Sequence, residues 1–257
     1  MGDNTQVFIP EHLADVVEPV TQLIHQLREL TITCLDANVE FELEARMGTF
    51  DTARGCWING VSKTFWEQVL QMFVECDHWT EVADTEWKHN HDYFYTLPDG
   101  RAVRSSTTLE SGPIFDIQHL IKRRHGLVDL HVPGSDTYDI RIALSSETTL
   151  SSHELPETVM PTRVRIKQRM SFVFRCWKFD LTKVWSGDSR LSAETAQRSG
   201  TPDYEIELEC SSPMEYLQAR PDEYVATSLL LKMCDLLPKP LGKLDLFVHP
   251  SVQGHHK

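Results

Sequence analysis

The chain has 257 residues, 40% hydrophobic and 9% aromatic, which is enough apolar material for one large domain or two small ones. Its formal charge of -13, from 25 Lys plus Arg against 38 Asp plus Glu, excludes a protein that coats nucleic acid with a generally basic surface. A polyanionic ligand must therefore be met by a local cluster of cations.

In chain order, residues 8 to 30 repeat apolar groups at helical spacing, among them Leu13, Val16, Val17, Val20, Leu23, Ile24 and Leu27, with Pro19 expected to kink or divide the segment. A strand follows over 38 to 47. "GVSKTFWEQVLQMFVEC" then predicts a helix over 61 to 76, with Ser62 as its N-cap and Phe65, Val69, Met72 and Phe73 as a core stripe. Strands are expected at 91 to 97, 101 to 107, 116 to 124, 127 to 132, 137 to 147, 162 to 175, 177 to 185 and 203 to 210, separated by turn signals such as "LPDG", "VPGS" and "WSGD". Residues 186 to 202 read as a polar loop. A last helix over about 222 to 237 stops at Pro238 and Pro240, and "SVQGHHK" reads as a loose tail. With no repeat and no dividing linker, the expectation is one domain over 1 to 257.

Six widely spaced cysteines without a C-x-x-C pair read as reduced thiols. No basic-then-apolar leader opens the chain, "MGDNTQ" has Gln6 where a myristoylation signal needs Ser or Thr, and the longest apolar run is too short for a bilayer. The expectation is a soluble intracellular chain that does not meet a membrane.

Four strands carry charge on one face. In "VEFELEARMG" Glu40, Glu42, Glu44 and Arg46 alternate with Phe41, Leu43 and Ala45, and in "YEIELEC" Glu205, Glu207 and Glu209 alternate with Ile206 and Leu208. "TRVRIKQRM" stacks Arg163, Arg165, Lys167 and Arg169 against Val164 and Ile166, while "YDIRIALSSE" sets Asp139, Arg141 and Glu147 against Ile140, Ile142 and Leu144. A single E-x-E is an ordinary solvated strand face. Several together are not: like charges opposite one another destabilise a sheet, and stacked glutamates need a metal or facing cations. The economical arrangement is a barrel turned inside out, with helices packed on apolar exterior faces and glutamates, Arg and Lys lining the interior. Such an interior can hold a hard divalent cation and phosphate oxygens together.

In this setting "ELEARMG", "RIKQR" followed by "WKFDLTKV", and "YEIELE" resemble the signature strands of the triphosphate tunnel metalloenzymes, most closely the metal-dependent RNA 5'-triphosphatases of mRNA capping (the capping enzyme beta subunit type). The resemblance runs from about residue 38 to 210. It implies an α+β fold, a closed antiparallel β-barrel with a charged interior and flanking α-helices, that hydrolyses the γ-phosphate of triphosphate-ended RNA with Mn2+ or Mg2+. The metal would be held by Glu42, Glu44 and Glu209. Catalytic roles would fall to the cations Arg165, Lys167, Arg169 and Arg141, to Glu205, and to Asp180 with Thr182; Glu147 or Glu207 would orient the attacking water. Arg46, which stands where the family often has Lys, would bind substrate with Arg163, Arg104 and Lys122, the last two contested by Arg101, Arg123 and Arg124. A separate mRNA guanylyltransferase partner and a nuclear location are implied in the same way, and nucleoside triphosphates are possible further substrates with manganese.

Two other readings stay open at this stage: a tunnel enzyme acting on tripolyphosphate, thiamine triphosphate or free nucleotides, and a barrel that binds a metal or polyanion without chemistry. Retention of both the acidic and the basic half of the site argues against the second. Cys76, His78, His89 and His91 have spacings uncommon for zinc, and neither a P-loop nor a G-x-G-x-x-G is present. His119, His125 and His131 are expected at the surface, with Gly126 interrupting their strand.

Overall fold

A computed structural model describes residues 9–34, 36, 38–80, 87–109, 117–132, 138–151, 159–210, 213–237 and 247–248. Its centre is a ring of eight antiparallel strands. β1 (Val39–Asp51) pairs on one side with β6 (Asp139–Leu150) and on the other with β9 (Asp203–Cys210). From β6 the ring continues through β5 (Ile117–His131), β4 (Ala102–Leu109), β3 (Lys88–Thr96), β7 (Arg163–Phe174) and β8 (Trp177–Gly187), and returns to β9. Closure leaves the ring without a free edge. Two short strands are added to it, β2 (Cys56–Asn59) on β1 and β10 (Phe247–Val248) on β5.

The alternation read from the sequence sorts the two faces as expected. Leu43, Ala45 and Met47 of β1, Ile140, Ile142 and Leu144 of β6, Phe179 and Leu181 of β8, and Ile206 and Leu208 of β9 belong to one buried apolar cluster outside the ring. Helices cover it. α1 (Ala14–Thr33) contributes Val16, Val17, Val20, Leu23, Ile24 and Leu27, and α5 (Asp222–Cys234) contributes Val225, Ala226, Leu229, Leu230 and Met233. Each fully buried aliphatic side chain in this shell is worth about 1.5–3 kcal/mol, which offsets the cost of the charges enclosed within. Arg28 of α1 locks the two helices by a fork onto Asp222 Oδ1, at 2.9 and 2.6 Å.

α2 (Lys63–Glu75) is capped by the Ser62 hydroxyl, which accepts from Phe65 N at 3.2 Å, and it buries Phe65, Trp66, Val69 and Phe73. Met72, expected in that stripe, lies at its margin and is 44% exposed. Pro19 does not divide α1: one amide donor is lost near the start of the helix, where the apolar stripe on either side of it is fully packed. The expected loop at 186–202 contains a helix, α3 (Arg190–Ser199), capped by Ser189 and anchored by the fully buried Ala193. A further short helix, α4 (Pro213–Ala219), precedes α5.

The two strands expected at 116–124 and 127–132 are one strand, β5, whose register slips between Arg124 and Gly126. Gly126 sits at this bulge because α1 crosses it closely: a Cβ there would come 2.2 Å from Leu23 Cδ1. The three histidines of β5 are half-buried and bonded rather than free at the surface. His119 meets the Ser105 hydroxyl at 2.7 Å, His125 the Ser146 hydroxyl at 2.7 Å, and His131 the Asp139 carboxylate at 2.8 Å. No described helix is long and apolar enough to cross a membrane. The "MGDNTQ" start, the "VPGS" turn beyond Val132, Pro238, Pro240 and the "SVQGHHK" tail lie outside the described residues.

Candidate active site

The inward face of the ring encloses a cavity of about 200 Å³ whose twelve lining residues are all ionisable. Six are acids, Glu42, Glu44, Glu147, Asp180, Glu207 and Glu209. Six are bases, Arg46, Arg104, Lys122, Arg165, Lys167 and Arg169. In a chain of formal charge -13 this balance is local, and it is built by register. Glu44 stands opposite Glu209 and Arg46 opposite Glu207 across the β1–β9 ladder, and Asp180 stands opposite Glu207 across β8–β9.

Each carboxylate is engaged by a cation. Lys122 Nζ bonds Glu42 and lies 3.4 Å from Glu44 and 3.8 Å from Glu147, so one ammonium gathers three carboxylates. Arg104 Nη2 donates to both oxygens of Glu147 at 3.0 and 3.1 Å. Arg46 reaches Glu44 at 2.7 Å and Glu207 at 3.2 Å, and Arg169 reaches Asp180 at 2.9 Å and Glu207 at 3.6 Å. Arg165 Nη2 donates to both oxygens of Glu205 at 2.6 and 2.7 Å, and Lys178 Nζ lies 2.6 Å from Glu209.

The electrostatics follow from burial set against these partners. Burial raises Glu44, more than Arg46 and Lys122 lower it, with Glu42 and Glu207 adding to the rise. Burial would raise Glu207 as well, but Arg46, Arg169, Lys167 and Arg165 together hold it far below the usual carboxylate range. Burial pushes Lys167 down to about 8 in spite of Asp92, because Arg165 and Arg169 stand beside it. The carboxylate in the midst of the cations is thus kept ionised, and the buried lysine among arginines gives up its proton easily.

Eleven of the residues singled out from the sequence line this cavity: Glu42, Glu44, Arg46, Arg104, Lys122, Glu147, Arg165, Lys167, Arg169, Glu207 and Glu209; Asp180 makes a twelfth. Thr182 is fully buried, accepts from Arg169 Nε at 3.2 Å and holds that guanidinium in place. Glu205, Arg141 and Arg163 instead line an adjoining cavity of about 440 Å³, which shares Glu44 and Arg46 with the first. There Arg141 is held by Asp129 at 2.6 and 2.7 Å and packs over Trp57 at 4.7 Å, so its charge is already satisfied.

Sequence reasoning passed over Asp92, which bonds Lys167 and accepts from Ser106 Oγ at 2.8 Å, and Lys178, the partner of Glu209. Both were legible: Asp92 alternates with His91 and Tyr93, and Lys178 shares a strand face with Asp180 and Thr182.

For a metal ion, the donor chemistry fits. Glu42, Glu44 and Glu209 offer hard carboxylate oxygens at one end of β1 and β9, and Lys122 already stands as a cation among three carboxylates. As the side chains lie, Lys122 holds Glu42, Arg46 holds Glu44 and Lys178 holds Glu209, and among the described residues no three acidic or imidazole groups form a ready cage. Access for a cation to all three therefore requires Lys122, Arg46 and Lys178 to give up part of their hold.

Comparison with known proteins places these features in context. Residues 67–224 match the family model described as mRNA capping enzyme, beta chain. The mRNA-capping enzyme subunit beta of Candida glabrata is 27% identical over 118 residues; the match covers 44% of this chain and 18% of that protein, so the chain spans less than a fifth of its curated relative. Among solved structures, the S. pombe Pct1 RNA triphosphatase superposes with a TM-score of 0.62 at 17% identity, over 92% of this chain and 96% of that one. The Mimivirus capping enzyme triphosphatase superposes with a TM-score of 0.51 at 16% identity, over 85% and 96%. The two structures share the barrel fold with this chain.

Proposed function

The chain belongs to the mRNA capping enzyme beta-chain family, and from that premise we propose that it is an RNA 5'-triphosphatase, removing the γ-phosphate of triphosphate-ended RNA in a metal-dependent hydrolysis. The observation that carries this reading is the enclosed cavity in which six carboxylates face six cations. It balances its own charge when empty, and takes a cation and a polyanion together more readily than either alone.

Glu42, Glu44 and Glu209 would hold Mn2+ or Mg2+, which when bound draws charge from the γ-phosphoryl oxygens. Arg165, Lys167 and Arg169, adjacent along one face of β7, are placed to spread donors over the transferred group, where charge grows in the transition state. Asp180 and Thr182 brace Arg169, and Glu205 braces Arg165; these are positioning residues. Arg46, between the two cavities, is suited to the β-phosphate. A water attacks the γ-phosphorus, the bond to the β–γ bridging oxygen breaks, and RNA diphosphate and inorganic phosphate leave. Glu207 is a poor base because four cations keep its proton off. Glu147, which meets two cations, Arg104 at 3.0 and 3.1 Å and Lys122 at 3.8 Å, against the four around Glu207, is the better candidate to orient the water and take its proton.

A capping role implies an mRNA guanylyltransferase as separate partner, consuming the diphosphate end, and residence in the nucleus. Among the described residues the lining of the inner cavity has no apolar or aromatic side chain for a base to stack on, so tripolyphosphate and nucleoside triphosphates are the rival substrates. Phosphate release from triphosphate-ended RNA, ATP and tripolyphosphate, with and without manganese, separates them through the ratio of kcat/KM values. RNA is expected to lead, and Glu42→Ala and Glu209→Ala to abolish all three; activity that survives both substitutions, or that ignores the metal, would refute the assignment.

A further inference from the structure

The adjoining cavity has no role in the scheme above, which concerns only phosphoryl groups. Its volume of about 440 Å³ lies within the roughly 300–1,000 Å³ of pockets that hold organic ligands, whereas the inner cavity, at about 200 Å³, lies below it. A nucleoside has to remain outside the inner cavity while its phosphate tail enters.

The outer chamber is built by the β1–β2 hairpin. Gly48 is the next inward-facing position after Arg46, and it has no side chain for a reason: a Cβ would come 2.4 Å from Ile58 O and 2.5 Å from the Trp57 ring. The indole thus lies across the end of the charged row, fixed by Nε1 donating to Asn59 Oδ1 at 2.5 Å and by the Arg141 guanidinium above it. Trp57 pairs with Phe50, on the face that carries Arg46 and Gly48, and is only half-buried, which places an aromatic surface at the end of a wholly ionic tunnel. Two guanidinium groups complete the lining. Arg163 donates to Ser186 Oγ at 3.3 Å, and Arg124 makes no ion pair among the described residues.

Resting on the triphosphatase reading, we propose that this chamber seats the first nucleoside of the RNA, its base against the exposed part of Trp57, with Arg124 and Arg163 on the phosphodiester that leads to the second nucleotide. Apolar and aromatic contact is tolerant of base identity, and a guanidinium fork matches a phosphodiester. The substrate then enters by one end only, threading its triphosphate past Arg46 with the γ-phosphate deepest.

The test compares three substrates that share a triphosphate: tripolyphosphate has no nucleoside, ATP has a nucleoside but no phosphodiester, and RNA has both. Arg124→Ala is expected to lower kcat/KM for RNA about tenfold, with a weaker salt dependence, and to leave ATP and tripolyphosphate within about twofold. Arg124→Lys should recover part of the RNA rate. Trp57→Ala is expected to lower RNA and ATP alike, again sparing tripolyphosphate. Equal losses on all three substrates would show a structural effect and overturn the proposal, as would indifference of every substrate to both variants. If those failures occur in a chain that cleaves RNA, only the chamber assignment falls; a wild-type chain that cleaves tripolyphosphate but neither nucleotide substrate sinks the triphosphatase reading with it.

Discussion

Arg46 holds two acidic strands together, and its removal gives the sharpest test of the charge balance. Its guanidinium lies 2.7 Å from Glu44 and 3.2 Å from Glu207, which face it from its own strand and from β9. Arg46→Ala leaves both carboxylates short of a counterion beside Glu209. Breaking a buried pair costs about 3–5 kcal/mol, and because a quarter of the Arg46 side chain remains exposed, at 25%, the low end applies. For a chain of this size about 3 kcal/mol corresponds to a fall in Tm of roughly 6–12 °C. Arg46→Lys, a point charge able to serve one carboxylate at a time, should fall between the two. A divalent cation can then replace part of the missing charge. At 100 times its Kd it stabilises by about 2.7 kcal/mol, so manganese should raise the Tm of Arg46→Ala by several degrees, and by more than it raises wild type. The rate should still drop on the order of 10²-fold, because a metal at Glu44 does not supply a donor at the β-phosphate. The assay is thermal unfolding in chelator and in manganese, with phosphate release alongside. An Arg46→Ala chain as stable as wild type in chelator, or one that gains less from manganese, would refute this account of what holds β1 against β9.

Lys167 should set a pH limit on anion binding: its ammonium, pushed down to about 8 by burial, is charged below that pH, so metal-free affinity for tripolyphosphate should fall as pH rises through about 8, and Lys167→Arg should remove that fall. The same shift opposes folding below about pH 8, and the penalty is relieved as pH rises from about 8 to the ordinary lysine value of 10.5, where the unfolded chain holds a proton the folded chain has released; a Tm difference between wild type and Lys167→Arg that does not move across this range would show that Lys167 does not titrate within it. Glu147→Gln should lower kcat about 10²-fold with little change in KM, and should lower Tm less than Glu207→Gln, since it leaves Arg104 short of a counterion whereas Glu207→Gln unbalances both Arg46 and Arg169; a Glu147→Gln enzyme with near wild-type kcat would remove Glu147 as the residue that takes the proton.

The face of each strand was legible because alternation is local: nothing beyond residues 39 to 46 is needed to see that Glu42, Glu44 and Arg46 share a side. α3 was not, since "RLSAETAQRS" buries a single residue, Ala193, and its helix depends on the Ser189 cap and on β8 beneath it rather than on an apolar stripe. β2 is four residues long and pairs only with the end of β1, too short for a period to show.

The bulge in β5 limits sequence reading in a deeper way. Before it, Lys122 and Arg124 face inward; after it, the inward positions are Leu127 and Asp129, because the extra residue inverts the parity of all that follows. Counting by twos from Lys122 would turn Asp129 outward and leave Arg141 as a free cation of the tunnel, the role its sequence suggested. With the bulge in place Asp129 meets Arg141 in register and neutralises it, and the pair settles on Trp57 as part of the chamber wall. Gly126 is the only local trace of this change, and its meaning depends on Leu23 of a helix a hundred residues earlier. Whether a charge in such a barrel is available to substrate or spent on structure is therefore decided by register between strands, which no single strand contains.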